Sequence, residues 1–263
     1  MAHVIPVVNQ KGGVGKTTTT VNLSTSLAMR GYQILVIDLD PQGNCSSSFG
    51  VAKEELDVHA YHMLLGQASI EDVMVETEIE GLTLVPTNMH LAGAEIELVT
   101  EMGREGRLAD ALVDIVDHYD LIFIDCPPSL GLITLNALTA ADLLIVPLQC
   151  EYFALEGVSQ LLHTLELVRS RINPNVELLG VALTMFDRRN KLSFNVQSEV
   201  AAYFGDLMFE TAIPRNVRLS ESPSHGKPIA LYDARSTGAK AYKALADEMI
   251  QRLSDKLAAE EPA

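Results

Sequence analysis

The sequence predicts an α/β fold, a mostly parallel twisted sheet with helices on both faces. Three observations predict it. Short, largely apolar runs recur at residues 4–8, 34–37, 82–86, 121–124, 143–147 and 178–184, with a shorter one at 209–213. Strands covered on both faces read this way, whereas half-solvated strands alternate apolar and polar residues. Helical patterns fill the intervals at residues 16–30, 107–118, 132–140, 154–171, 193–204 and 238–256, the alternation expected of stacked βαβ units. Finally, a glycine-rich turn joins the first run to the first helical stretch.

With 263 residues the chain can bury a large core, and no repeat or linker divides it. One domain over residues 1–257 is expected, followed by a flexible acidic tail at 258–263. Residues 44–80 and 214–236 read as surface excursions. A net charge of −16 argues against a surface that grips nucleic acid everywhere, though not against a local basic patch. No apolar run is long enough to span a bilayer, and the start of the chain lacks the pattern of a secretion signal. Cys45, Cys126 and Cys150 are widely spaced and form no CxxC pair, so they read as packing thiols in a reducing cytoplasm.

The turn reads Gln10-Lys11-Gly12-Gly13-Val14-Gly15-Lys16-Thr17-Thr18. Three glycines in four positions let the backbone turn sharply and aim several N–H groups at phosphate oxygens. The following helix adds the positive end of its dipole. Lys16 can reach β- and γ-phosphates, and the Thr17 hydroxyl can ligate Mg²⁺. The loop departs from the general G-x-x-x-x-G-K-[ST] pattern at its first glycine, and it carries a second lysine, Lys11, at its mouth.

Two acidic segments complete the pattern. Asp38-Leu39-Asp40-Pro41-Gln42-Gly43-Asn44 follows the second run, at the strand end where α/β sheets bind ligands. Asp40 is a candidate to position the attacking water, with Asp38 nearer the magnesium shell; loop-capping aspartates are the plain alternative. Asp125 ends the apolar run 121–124 and is the candidate to hold Mg²⁺ through a water. Cys126-Pro127-Pro128-Ser129 follows it.

These motifs resemble the deviant Walker A P-loop NTPases, the family of ParA, MinD and the nitrogenase iron protein. The resemblance implies ATP and Mg²⁺ as cofactors, weak partner-stimulated ATP hydrolysis, and a homodimer that closes on the nucleotide with Lys11 reaching the partner's phosphates. It also makes 38–44 and 125–129 the two switches. The C-terminal half resembles the small chromosomal ParA type, often called Soj, through 180–189 (GVALTMFDRR) and 213–227 (IPRNVRLSESPSHGK). Carried over, Met185 and Pro214 flank the adenine, and the early loop implies no helix-turn-helix extension before it. ParA proteins bind DNA nonspecifically as ATP dimers and are released by a ParB partner, which implies a nucleoid-associated protein with no membrane role.

The charge pattern permits that reading. Residues 180–243 hold nine Lys and Arg against six Asp and Glu, a local +3 in a chain of −16. Arg189, Arg218, Lys227, Lys240 and Lys243 are the DNA-contact candidates, expected to touch phosphate rather than bases. A MinD-like membrane-organising ATPase is the alternative. It calls for a basic amphipathic C-terminus, where this chain has Ile250, Leu253 and Leu257 among acids. A metal-cluster scaffold would need paired cysteines, and Cys126 is the nearest candidate. A small-molecule kinase or synthetase on the same loop is the third rival.

Overall fold

The computed structural model describes residues 2–151 and 154–260. Seven strands are formed among them: β1 (His3–Val7), β2 (Ile34–Asp38), β3 (Val75–Glu76), β4 (Leu82–Val85), β5 (Leu121–Asp125), β6 (Leu143–Gln149) and β7 (Glu177–Thr184). They lie in the order β3-β4-β2-β5-β1-β6-β7. Every pairing is parallel except that of the short edge strand β3 with β4. The helices are α1 (Lys16–Ala28), α2 (Asn44–Ser48), α3 (Ala60–Leu64), α4 (Ile70–Val73), α5 (Leu91–Glu97), α6 (Arg107–Leu112), α7 (Leu132–Ala140), α8 (Ala154–Arg171), α9 (Lys191–Phe204), α10 (Val217–Glu221), α11 (Ile229–Tyr232) and α12 (Thr237–Glu260).

Strand side chains alternate between two cores, one on each face of the sheet. Leu35, Ile37, Ile122 and Ile124 pack with Leu91, Leu108, Ile133, Leu165 and Val196. Ile34, Val36, Leu121 and Phe123 pack instead with Leu23, Leu27, Tyr242, Leu245 and Met249, from α1 and α12. At about 1.5–3 kcal/mol for each large side chain withdrawn from water, these layers supply the main driving force.

Helix α1 forms despite its composition. Its sequence, KTTTTVNLSTSLA, is rich in residues of modest helix propensity. The helix is buried along most of its length, and several of its hydroxyls bond within it. Thr20 donates to the Lys16 carbonyl, Thr25 to that of Val21 and Ser26 to that of Asn22. No hydroxyl of these three is left to compete for water, and packing on the sheet decides the conformation.

The structure corrects several expectations. Residues 209–213 form no strand; they run beside β7, joined by bonds from Phe209 N to the Val181 carbonyl (2.9 Å) and from Ile213 N to that of Leu183 (2.8 Å). Flanking bridges pair Met208 with Val181 and Pro214 with Phe186, seven residues of one segment against six of the other. The extra residue breaks the ladder, and Pro214 has no N–H to extend it. The expected helix at 107–118 stops as α6 at Leu112, and a separate 3₁₀ turn covers Val116–His118. The excursion 44–80 holds α2, α3, α4 and β3, and 214–236 holds α10, α11 and a 3₁₀ turn at Ser222–His225. Helix α12 continues to Glu260, so the expected tail begins as helix; residues 261–263 lie outside the described ones.

Candidate functional site

The glycine-rich turn is held from three sides. Asn9, buried after β1, donates from Nδ2 to the Pro147 carbonyl of β6 (2.8 Å) and accepts from Lys11 N (2.9 Å). From β7, the Thr184 hydroxyl donates to the Val14 carbonyl (2.8 Å). Gly13 and Gly15 take φ of +75° and +91°, and Gly15 is the residue that enters α1. That left-handed backbone is available to glycine at little cost. Gly12 and Gly13 stay exposed, Thr18 is half-buried, and Val14 is tucked under the turn.

Lys16 is buried, with its ammonium 3.3 Å from the Lys11 carbonyl. Burial lowers its pKa, opposed chiefly by the charge of Asp125. The Thr17 hydroxyl donates to Asp125 Oδ2 (2.7 Å), and Thr20, one turn later, reaches Oδ1 at 3.4 Å. Asp125 lies opposite Asp38 in the β2–β5 register, and both are fully buried. Asp38 accepts from the backbone and hydroxyl of Ser46 (2.8 and 2.7 Å) and from Asp40 N (3.1 Å). Burial pushes the Asp38 carboxyl up to about 7 and that of Asp125 well above the usual range, with the charge of Asp40 adding to both and that of Asp38 adding to the rise of Asp125. Asp40, also buried, accepts from Gln42 N (3.0 Å). Both switch aspartates therefore cap backbone N–H groups as well as facing the turn.

Three carboxylates gather here around a single buried lysine. Such an imbalance suits a hard cation with oxygen ligands. Thr17, Asp38 and Asp125 are the residues that would hold Mg²⁺, which would there neutralise phosphate oxygens.

Lys11 is turned the other way, forming an ion pair with Glu151 just beyond β6. Met185 is half-buried at φ +52°, and Pro214 lies beside it, bridged to Phe186. Pro214 also lines a groove of about 1050 Å³ between α9 and α12, together with Arg188, Arg189, Arg215 and Lys240. Arg189 is 90% exposed and pairs with Asp187. Arg218 pairs with Glu221 and Asp233. Lys227 borders a different cleft, beside Thr17 and Thr18, and Lys243 a third, beside Arg30. The five DNA candidates are exposed but do not share one groove. Cys45, Cys126 and Cys150 are buried free thiols. Among the described residues no helix is long and apolar enough to cross a membrane. In α12, Leu253 is buried in the core, Ile250 packs at its edge and Leu257 is exposed.

The AAA domain family matches residues 2–178. The sporulation initiation inhibitor protein Soj of Bacillus subtilis is 52% identical over 249 residues, covering 95% of this chain and 98% of that protein. The chain belongs to the Soj/ParA family. Another Soj/ParA relative, the chromosome partitioning protein ParA of Caulobacter vibrioides, is 51% identical over 258 residues and covers 97% of both chains. A crystal structure described as cobyrinic acid a,c-diamide synthase from Mycobacterium smegmatis, with bound ATP analogue and magnesium, superposes with a TM-score of 0.85 at 40% identity. It covers 97% of this chain and 96% of that one.

In this Soj/ParA chain, sequence reasoning missed Asn9, Thr20, Ser46, Glu151 and Thr184. Thr20 was within reach, being one helical turn from Thr17. Glu151, Thr184 and the Asn9–Pro147 bond carry no local signal, because their partners lie more than a hundred residues away, and Ser46 meets Asp38 only once α2 has folded back on the strand end.

Proposed function

We propose that this chain is a magnesium-dependent ATPase of chromosome or plasmid partitioning. In this reading it pairs on ATP, binds DNA without sequence preference and is reset by a ParB-like activator. The supporting observation is the convergence of Lys16, Thr17, Asp38, Asp40 and Asp125 at the mouth of α1, in a chain about half identical to Soj and ParA.

In this mechanism Lys16 and the loop N–H groups hold the β- and γ-phosphates. The Thr17 hydroxyl and Asp125, bonded to each other here, would hold the shell of a bound Mg²⁺. Asp40 orients a water for in-line attack on the γ-phosphate; the water's proton passes to an oxygen of the released phosphate as the new P–O bond forms, and ADP departs with the bridging oxygen. Lys11 must exchange Glu151 for the phosphates of a second copy, which links pairing to nucleotide. Arg189, Arg218, Lys227, Lys240 and Lys243 then meet DNA phosphates, and Met185 and Pro214 flank the base.

The test is size-exclusion chromatography and turnover of two variants. Lys16→Ala is expected to lose ATP uptake. Asp40→Ala is expected to take up ATP and elute as a dimer, with turnover reduced at least a hundredfold. Normal turnover by Asp40→Ala would remove the water-positioning role. Absence of ATP uptake by the wild-type chain would remove the proposal.

A further inference from the structure

The switch that carries Asp38 and Asp40 is in backbone contact with the basic segment that carries Lys227. Helix α2 begins at Gly43, directly after the switch, and is tied to Asp38 through both bonds of Ser46. It ends at Ser48, and the chain turns away from it at Gly50, φ +80°. Gly226, φ +62°, closes the 3₁₀ turn Ser222–His225 and precedes Lys227. The two glycines touch with no side chain between them. A Cβ placed on Gly226 would lie 2.9 Å from the Gly50 Cα and 3.5 Å from the Ser47 carbonyl; one placed on Gly50 would lie 3.2 Å from the Gly226 carbonyl.

The far end of the segment is fastened elsewhere. Ile229 N donates to Asn22 Oδ1 on α1 (2.7 Å, buried). Lys227 thus stands between a fixed anchor on the phosphate-loop helix and a contact with the switch helix. The same elements enclose a cleft of about 400 Å³ whose lining includes Thr17, Thr18, Asn44, Ser47, Ser222 and Lys227. Phosphate-loop hydroxyls and a DNA-contact candidate share its walls.

We infer that the Gly50–Gly226 contact is a relay: a shift of α2 on filling of the nucleotide site moves Ser222–Lys227 relative to α1, and so sets the DNA affinity of that face. This rests on the DNA-binding reading proposed above. Gly50 and Gly226 are positioning residues in this scheme. Because coupling between binding sites is reciprocal, DNA must also tighten the grip on the nucleotide that favours it.

The experiment measures affinity for a fluorescein-labelled, nonspecific DNA duplex with the magnesium complex of a slowly hydrolysed ATP analogue or of ADP. Gly50→Ala and Gly226→Ala are each expected to keep nucleotide affinity within about threefold and to lower the ATP-over-ADP preference for DNA at least tenfold. Gly103→Ala is the control: its φ is also positive, +66°, with nothing within 4 Å of the added methyl, and it is expected to match the wild type. A folded Gly226→Ala with wild-type preference overturns the relay. Should neither variant fold, amide hydrogen exchange of residues 222–229 in the wild type decides. The relay requires exchange to differ between the two nucleotides, and identical exchange overturns it. A wild type that binds DNA with neither nucleotide refutes the DNA reading, while the exchange measurement still judges the relay.

Discussion

Asp38 and Asp125 show how single residues set the character of the site. Their strands pair so that the two carboxyls face one another in the sheet, shut away from water. Desolvation raises both, Asp38 to about 7. The sign follows directly. A folded-state pKa above the unfolded value of 3.8 gives stability that is complete below that value and lost as pH rises through about 7. The ligand-free protein is therefore expected to lose stability on the order of 1 kcal/mol between pH 6 and 8. For a domain of this size that is a few degrees in melting temperature, about 2–4 °C. Asp38→Asn keeps an acceptor for Ser46 and removes the charge, so its ligand-free melting temperature is expected to fall less across that interval than that of the wild type. Thermal melts at the two pH values, without metal or nucleotide, check this; a wild-type-like slope in Asp38→Asn would overturn the assignment.

At the scale of elements, α12 secures the irregular segment along β7. The Arg252 guanidinium donates to the carbonyls of Leu179 (3.1 Å) and Met208 (2.6 Å), pairs with Glu248 (3.2 Å) and lies 4.1 Å above the Phe209 ring. Gly180 has no side chain because Phe209 and Arg252 occupy that space. Arg252→Ala is expected to cost about 2–3 kcal/mol, read as a lowered urea midpoint with little change in slope. Elements such as β1, β2, β4, β5, β6 and β7 were legible because burial on both faces leaves an apolar run. The helices of 44–80 were not, since α2, α3 and α4 are one turn or little more and show no period. Residues 209–213 look like a strand in composition, but the extra residue and Pro214 spoil their pairing. The phosphate loop was legible because its residues are contiguous. The facing of Asp38 and Asp125 depends on the register of β2 with β5, strands over eighty residues apart, which no local pattern encodes.

Over the whole molecule, charge is sorted rather than mixed. The +3 of residues 180–243 stands against −16 for the chain. Folding collects Arg188, Arg189, Arg215 and Lys240 around one groove, while Lys227 and Lys243 border others. Arg188 and Arg215 thus join the interface candidates on position alone. One copy offers few cations, and two copies double them. The ATP-bound form is therefore expected to lose DNA affinity on the order of a thousandfold between 50 and 200 mM salt. Arg189→Ala is expected to flatten that dependence without creating a sequence preference. Anisotropy titrations across salt concentrations measure both, and a flat wild-type response would exclude phosphate-led binding.

The crowding of Asp38, Asp40 and Asp125 around Lys16 reaches beyond chemistry to the resistance of the chain to proteases. Without its ligands the fold holds desolvated carboxyls at its centre that magnesium nucleotide would relieve. Removal of magnesium nucleotide is therefore expected to speed digestion of this protein by an added protease, and an unchanged rate would exclude the link.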